Sequence, residues 1–341
     1  MSGIGFRGVI AAVALLGASQ VAFSAPACDR GCLEGWVDRY LDAVIAHKPA
    51  NVPLAANVRY TEDGQQLDIG DGMWRTLKAK GHYRLFVSDV PAQQVAFFGS
   101  IQEDGRDASK GTPALIALRL KIKDRKIAEI EQIVIRNEQT AAKVDALTPN
   151  PVYVQTLPAG ERMSRKDMIT TANKYFTGMQ QNDGKGDYPF ADDCNRLENG
   201  GQTTNAPTPP GQTRPDPKTS TNYSAQWSCM EQFKSGLLHF VWRIRDRRYV
   251  AVDEERGIVF AFGFFDHAGG DTRNFKTPDG RPVTSGPTQP WTWEIAELFK
   301  VQGGKIHKIE ALLQRSPYGM LSGWSTRAEG MSDTARDVTM K

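Results

Sequence analysis

Over residues 33–47 the apolar positions Leu33, Trp36, Val37, Tyr40, Leu41, Val44 and Ile45 recur at the spacing of one helix face. This predicts an amphipathic helix, ended by Pro49 and Pro53. The pattern then changes to runs of strand character at 57–61, 82–87, 94–101, 114–122 and 127–136, with turns at Glu62-Asp63-Gly64 and Asp124-Arg125-Lys126. A helix followed by a curved antiparallel meander results. The stretch 137–162, with Pro149, Pro151 and Pro158, reads as a connection, after which the same order starts again. The second series has a helix at 168–179, a strand and turn at 189–200, a helical stretch at 229–244, and hairpins at 249–252 with 257–267 and at 291–301 with 305–315.

The two series also match in sequence. Lys126-Ile127-Ala128-Glu129-Ile130-Glu131 is answered by Lys305-Ile306-His307-Lys308-Ile309-Glu310, with Arg136 opposite Arg315. Arg59-Tyr60-Thr61-Glu62-Asp63-Gly64 is echoed, one residue shorter, by Arg196-Leu197-Glu198-Asn199-Gly200. Two matched segments in the same order argue for an internal duplication. The units are drawn at 28–145 and 163–325, with a linker at 146–162 and a tail at 326–341. The second unit carries two additions, 203–223 and 269–290, rich in Pro, Thr, Asn and Gly, which are expected to be surface loops able to act as lids.

The start of the chain, with Arg7, an apolar run at 9–16 and small residues around Ala22, Ser24, Ala25 and Ala27, has the organisation of a secretory signal peptide over 1–25. Cleavage after Ser24, Ala25 or Ala27 stays open. The run is shorter than the ~20 apolar residues of a membrane helix, and no later window approaches that length, so no integral membrane segment is expected after its removal. Forty-two basic and thirty-nine acidic side chains, interleaved to a net +3, imply no field for nucleic acid. An exported, periplasmic or secreted chain allows disulfides, and Cys194 is expected to pair with Cys229. Cys28 and Cys32 either close a local loop or stay thiols.

Among groups that could carry chemistry, the second unit gathers more at strand ends. Asp193 precedes Arg196 and Glu198, and alternation along a strand lets only one of Asp192 and Asp193 face a pocket. Asp266 and His267 mark the end of an apolar strand, where a carboxylate and an imidazole at a cavity rim could transfer protons; the alternative is a turn cap. Arg245-Asp246-Arg247-Arg248 with Asp253-Glu254-Glu255-Arg256 could clamp an anion, but a salt-bridged, solvated turn is the favoured reading, with Asp253 drawn toward Val250-Ala251-Val252. In the first unit Arg59, Tyr60, Glu62, Asp68, Asp71, Trp74, His82 and Tyr83 form a more diffuse set, read as a scaffold or a degenerate pocket. The sequence has no P-loop, dinucleotide fingerprint, His-Glu-x-x-His helix or Gly-x-Ser-x-Gly elbow, and its five histidines lack ligand spacing, so no cofactor and no metal are expected.

The order of elements, with the segments 193–200, 245–249, 252–257 and 264–267, resembles the nuclear transport factor 2-like or SnoaL-like superfamily, and within it an uncharacterised two-domain SnoaL-like family. The resemblance spans nearly all of the mature chain. It implies an α+β fold of two tandem cone-shaped α+β barrel domains of the cystatin-like, SnoaL-like kind, each a bent antiparallel sheet with helices on its concave face around an apolar pocket. Functions in that superfamily range from isomerases and lyases to plain binding modules, so fold alone transfers none. The expectation is an exported cofactor-free lyase, dehydratase or isomerase acting on a small, partly apolar molecule. In it His267 or Asp193 takes a proton, Arg196 or Arg245 steadies negative charge, and Asp266 and Asp253 lie nearby. The competing expectation is a non-catalytic exported module binding a small molecule or a protein; a homo-oligomer is compatible with either.

Overall fold

A computed structural model describes residues 1, 3, 27–105 and 111–339. Apart from Met1 and Gly3, the segment read as a signal lies outside the described residues. The fold is α+β, with two mixed sheets. Helix α1 (Arg30–Ile45) begins the first unit; its N-cap Asp29 accepts a hydrogen bond from the Cys32 amide, and the apolar face found in the sequence is buried. Strands β1 (Leu54–Glu62), β2 (Gln65–Gln66), β3 (Leu77–Asp89), β4 (Gln94–Asp104), β5 (Gly111–Lys123) and β6 (Lys126–Ile135) pair in the order β2-β1-β6-β5-β4-β3.

Strands β3 to β6 form the meander, but β1 runs parallel to β6, so the sheet is mixed where an antiparallel one was expected. The connection explains this. Because β3 runs opposite to β6, the chain leaves β1 and enters β3 at the same end of the sheet, and residues 67–76 can follow that end without a crossover helix. Helix α2 (Glu138–Asp145) then forms within the stretch read as a connection, burying Ala141 and Val144.

The second unit repeats the plan with α3 (Arg165–Gln181), β7 (Phe190–Glu198), β8 (Gly201–Gln202), α4 (Cys229–Ser235), β9 (Arg243–Asp253) and β10 (Ile258–His267). The hairpin β11 (Asn274–Lys276) and β12 (Pro282–Thr284) lies in the second insertion, and β13 (Trp291–Gln302), β14 (Lys305–Ser316), α5 (Arg327–Gly330) and β15 (Arg336–Asp337) follow. The sheet order is β15-β9-β10-β13-β14-β7-β8, with β7 parallel to β14. Helix α4 is shorter than the predicted 229–244 because Gly236, at φ 68°, takes the left-handed conformation that ends it. The expected disulfide Cys194–Cys229 is closed, and of the two alternatives left for Cys28 and Cys32 the local loop is the one formed; both bonds are compatible with export. No described helix is long and apolar enough to cross a membrane.

Strand register places the two units side by side. Tyr60 pairs with Ile130 and Arg196 with Ile309, so Arg196 corresponds to Tyr60, and the match of Arg59 with Arg196 read from the sequence is off by one. The turns Asp63-Gly64 and Asn199-Gly200 then coincide, all four residues having positive φ as a tight hairpin requires. Each sheet carries its helix on one face: α1 covers Tyr60, Ile116, Leu118 and Ile130, and α3 covers Ile295, Phe299 and Ile309. The opposite faces pack on each other, Phe98 against Phe260 at 4.9 Å, in a third core shared by both units.

Polar pairs cross this seam. Glu131 accepts two hydrogen bonds from Arg248, at 2.6 and 3.0 Å, and its counterpart Glu310 accepts one from Tyr83. Equivalent glutamates thus each reach into the other unit, the reciprocity of a two-fold interface formed within one chain. The same packing corrects the reading of 245–248 as a solvated turn: Arg245, Asp246, Arg247 and Arg248 lie within β9 and are all buried. Sheet, seam and the C-terminal segment cover them on every side, and Asp246 pairs with Arg248 and Arg336.

Candidate functional site

Alternation along β13 sends Ile295, Glu297 and Phe299 toward α3, and Glu294, Ala296 and Leu298 toward the seam. Glu297 is 1% exposed and neither carboxylate oxygen has a hydrogen-bond partner in good geometry. Burial, reinforced by the charge of Glu198, pushes its carboxyl up to about 8, against the opposing pull of Arg196 and of the nearby Tyr175 hydroxyl. At neutral pH it is held mostly as the protonated acid.

Arg196 reaches the same space from β7. Its Nη2 donates to Gln232 Oε1 at 2.8 Å, Nη1 to the Tyr175 hydroxyl at 3.3 Å and Nε to Thr203 Oγ1 at 2.9 Å, and Nε also pairs with Glu198 at 2.9 Å. Gln232 is delivered by α4, which the Cys194–Cys229 disulfide ties to β7. A hollow of ≈ 20 Å³ remains here, lined by Arg196, Glu198, Tyr223, Phe240, Phe265 and Trp293 among others, with room for about one water molecule. The rest of the interior is filled by Tyr175, Phe176, Phe190, Phe233 and Phe299.

Both insertions bear on the cover of this hollow. Tyr223 ends the first of them and packs on Phe240, ring centroids 5.3 Å apart. The insertions hold each other: Ser285 Oγ donates to Asn222 Oδ1 at 2.6 Å, and Arg281 donates to the Ser220 carbonyl at 2.6 Å.

Of the candidate residues singled out in the sequence, Arg196 and Glu198 line the hollow. Asp193 sits on the outer edge, its side chain 60% exposed and paired with His307 at 2.7 Å and with Lys308. His267 is on the helix-bearing face but near the far end of β10, stacked 3.8 Å from Trp291, its ring nitrogens without partners. Burial brings its imidazole down to about 4, so it is neutral at physiological pH. Paired registers place Glu297 beside Ala261, six residues along β10 from His267, a separation of roughly 20 Å. The two are not a catalytic pair.

Asp266 points to the opposite face, where it accepts hydrogen bonds from Arg243, Arg245 and Thr292; Arg245 also donates to the Gly330 carbonyl. Asp253 is bound by Arg30 of α1 and caps the Arg256 amide, so it joins the units rather than facing the hollow. In the first unit, Tyr60, Glu62 and Gln132 form a closed buried set with Tyr40, whose hydroxyl donates to Gln132 at 2.8 Å. Glu297 and Tyr175 were missed. Extending the matched hairpins back from Lys126 and Lys305 aligns Glu297 with Leu118, and a carboxylate replacing a core leucine was the available signal.

A family model described as a domain of unknown function (DUF8021) matches residues 161–313, the second unit from just before α3 into β14. No curated protein matches the chain. One similar solved structure is a de novo designed protein with a curved β-sheet, 17% identical, covering 45% of this chain and 88% of that chain at a TM-score of 0.23.

Proposed function

We propose that the protein is an exported, cofactor-free acid–base enzyme of the lyase, dehydratase or isomerase type, with Glu297 as the proton carrier in a SnoaL-like cone. The orphaned Glu297 carboxyl carries this reading: burying a polar group without a partner costs about 1–3 kcal/mol, and the first unit avoids that with Leu118. With a carboxyl near 8, Glu297 rests as a general acid able to protonate a leaving hydroxyl, which departs as water, and its carboxylate returns to the acid by taking the proton that the neighbouring substrate carbon loses as the double bond forms. Arg196, fixed by Gln232 and Thr203, supplies fixed positive charge for a developing oxyanion. The hollow as it stands admits one water, so a substrate enters by displacing Tyr223 and Phe240.

The size of the hollow favours a second reading, a binding module in which the cone receives one small group of a ligand. The two readings part on turnover. Small molecules released from the purified protein, and hydroxy or keto acids offered to it, are followed by mass spectrometry with wild type and Glu297→Gln. Conversion by wild type, lost about a hundredfold in Glu297→Gln with binding retained, supports the enzyme. Retention without conversion in both points to the binder, and undiminished conversion in Glu297→Gln removes Glu297 from the mechanism.

A further inference from the structure

The register of β1 with β6 jumps between Leu54 and Arg59, five residues on β1 spanning two on β6, and β7 makes the same bulge against β14 between Phe190 and Asn195. The equivalent bulges differ in charge. In the second unit the bulge carries Asp192 and Asp193, and Asp193 pairs with Lys308 and makes a hydrogen-bond contact with His307 at 2.7 Å. In the first unit the corresponding residues are Ala56 and Asn57, which offer no carboxylate.

Beside that first bulge a groove of ≈ 700 Å³ runs along the seam-facing side of β1, β6 and β5 to the C-terminal segment, lined by seven basic side chains against three acidic ones. Arg119 is committed to Glu131 and Glu129, Arg248 to Glu131 and Asp246, and Arg336 to Asp246 and Glu329. Lys121 makes a long salt bridge to Glu129 at 3.7 Å, and Arg59, Lys123 and Lys126 have no salt bridge among the described residues. Arg59 is held by the Gly323 carbonyl and by Trp324, its guanidinium carbon 4.6 Å from the ring centroid, while its Nε is buried without a partner. Trp324 is fixed in turn by donating its indole N–H to Thr61 Oγ1 at 2.7 Å. Hairpin register shows which of these cations are particular to the first unit: where it has Arg59, Arg119 and Lys123, the second has Asn195, Leu298 and Gln302, whereas Lys121 and Lys126 have Lys300 and Lys305 as counterparts.

We infer that this groove is a second binding site, for a compact anion bearing several carboxylate or phosphate groups. A single-charged ligand would leave most of these cations unmatched, whereas Arg59 on one wall and Lys121, Lys123 and Lys126 along the other suit a ligand with charges at both ends. The aromatic support of Arg59 holds its donors in place before the ligand arrives, lowering the entropy lost on binding.

The test titrates citrate, pyrophosphate and neutral sorbitol into the protein by calorimetry at low salt, with wild type, Arg59→Gln, the rim pair Lys123→Gln/Lys126→Gln, and Lys185→Gln as a remote control matching the charge change of Arg59→Gln. Wild type and Lys185→Gln are expected to bind one anion with sub-millimolar affinity and to ignore sorbitol, with roughly tenfold weakening in each groove variant and further weakening at higher salt. Preference for citrate identifies a carboxylate ligand and preference for pyrophosphate a phosphate ligand. The exposed lysine pair keeps the test valid if Arg59→Gln melts early. Equal affinities in wild type, groove variants and control, or no binding of either anion, overturn the inference.

Discussion

Glu297 occupies in the second unit the place that Leu118 occupies in the first, both on the first strand of the closing hairpin and both directed at the covering helix. The leucine meets a filled apolar core, whereas the glutamate carries two buried carboxylate oxygens without a hydrogen-bond partner. The difference gives a direct prediction: Glu297→Leu should stabilise the protein by about 1–3 kcal/mol, since it removes an unsatisfied buried group. At about 2–4 °C per kcal/mol for a chain of this class, thermal melting will show it, and a lower melting temperature would mean that Glu297 has a partner in solution.

The pH dependence of stability follows from the same carboxyl and two others. Burial raises Glu297 and Glu294 to about 8 and Glu310 to about 7, from an ordinary 4.5. Between 4.5 and those values the folded state holds protons that the unfolded chain releases, so stability falls as pH rises through that window. His267 acts in the opposite sense, because the unfolded chain binds a proton below 6.5 that the folded state refuses down to about 4. Melting temperature should therefore decline from pH 6.5 to 8.5, and Glu297→Gln should flatten that decline; an unchanged slope in the variant would place the carboxyl's titration elsewhere.

The seam supplies a third test. Removing Arg248 leaves Glu131 buried with only Arg119 to answer it, and breaking such a pair typically destabilises by 3–5 kcal/mol. Arg248→Ala is expected to do so, measured by denaturant titration, while Arg248→Met combined with Glu131→Leu should recover most of the loss. Failure of the double variant to recover would show that the pair fixes the relative placement of the two sheets as well as compensating charge.

Reduction of Cys194–Cys229, or Cys194→Ser with Cys229→Ser, opens a loop of sequence separation 35. The chain-entropy model puts the loss at roughly 3–4 kcal/mol. Because Cys229 begins the helix that brings Gln232 to Arg196, hydrogen exchange at 229–235 should rise before the sheet loosens. Exchange rising only with global unfolding would separate the disulfide from the site.

Much of this architecture was legible along the chain because its signals are local. The 3.6-residue spacing of Leu33, Trp36, Val37 and Tyr40 requires only that one helix face be covered, and Lys126-Ile127 against Lys305-Ile306 exposes the duplication without reference to what packs on what. Turn residues such as Asp63-Gly64 and Asn199-Gly200 carry their positive φ in any context. What lies across a sheet is a different matter. Strand alternation tells that Glu294 and Glu297 face opposite ways, but both faces are buried here because the sheets also pack on one another, and that depends on contacts between residues more than a hundred positions apart. For the same reason Arg245 to Arg248 read as a solvated run and became the interior of β9, and Asp193 and His267, promising as residue types, ended on an outer edge and in an aromatic stack. Periodicity determined the elements and their repetition; only the meeting of distant strands decided which charges would be deprived of water and partner, because desolvation is a property of the assembled neighbourhood.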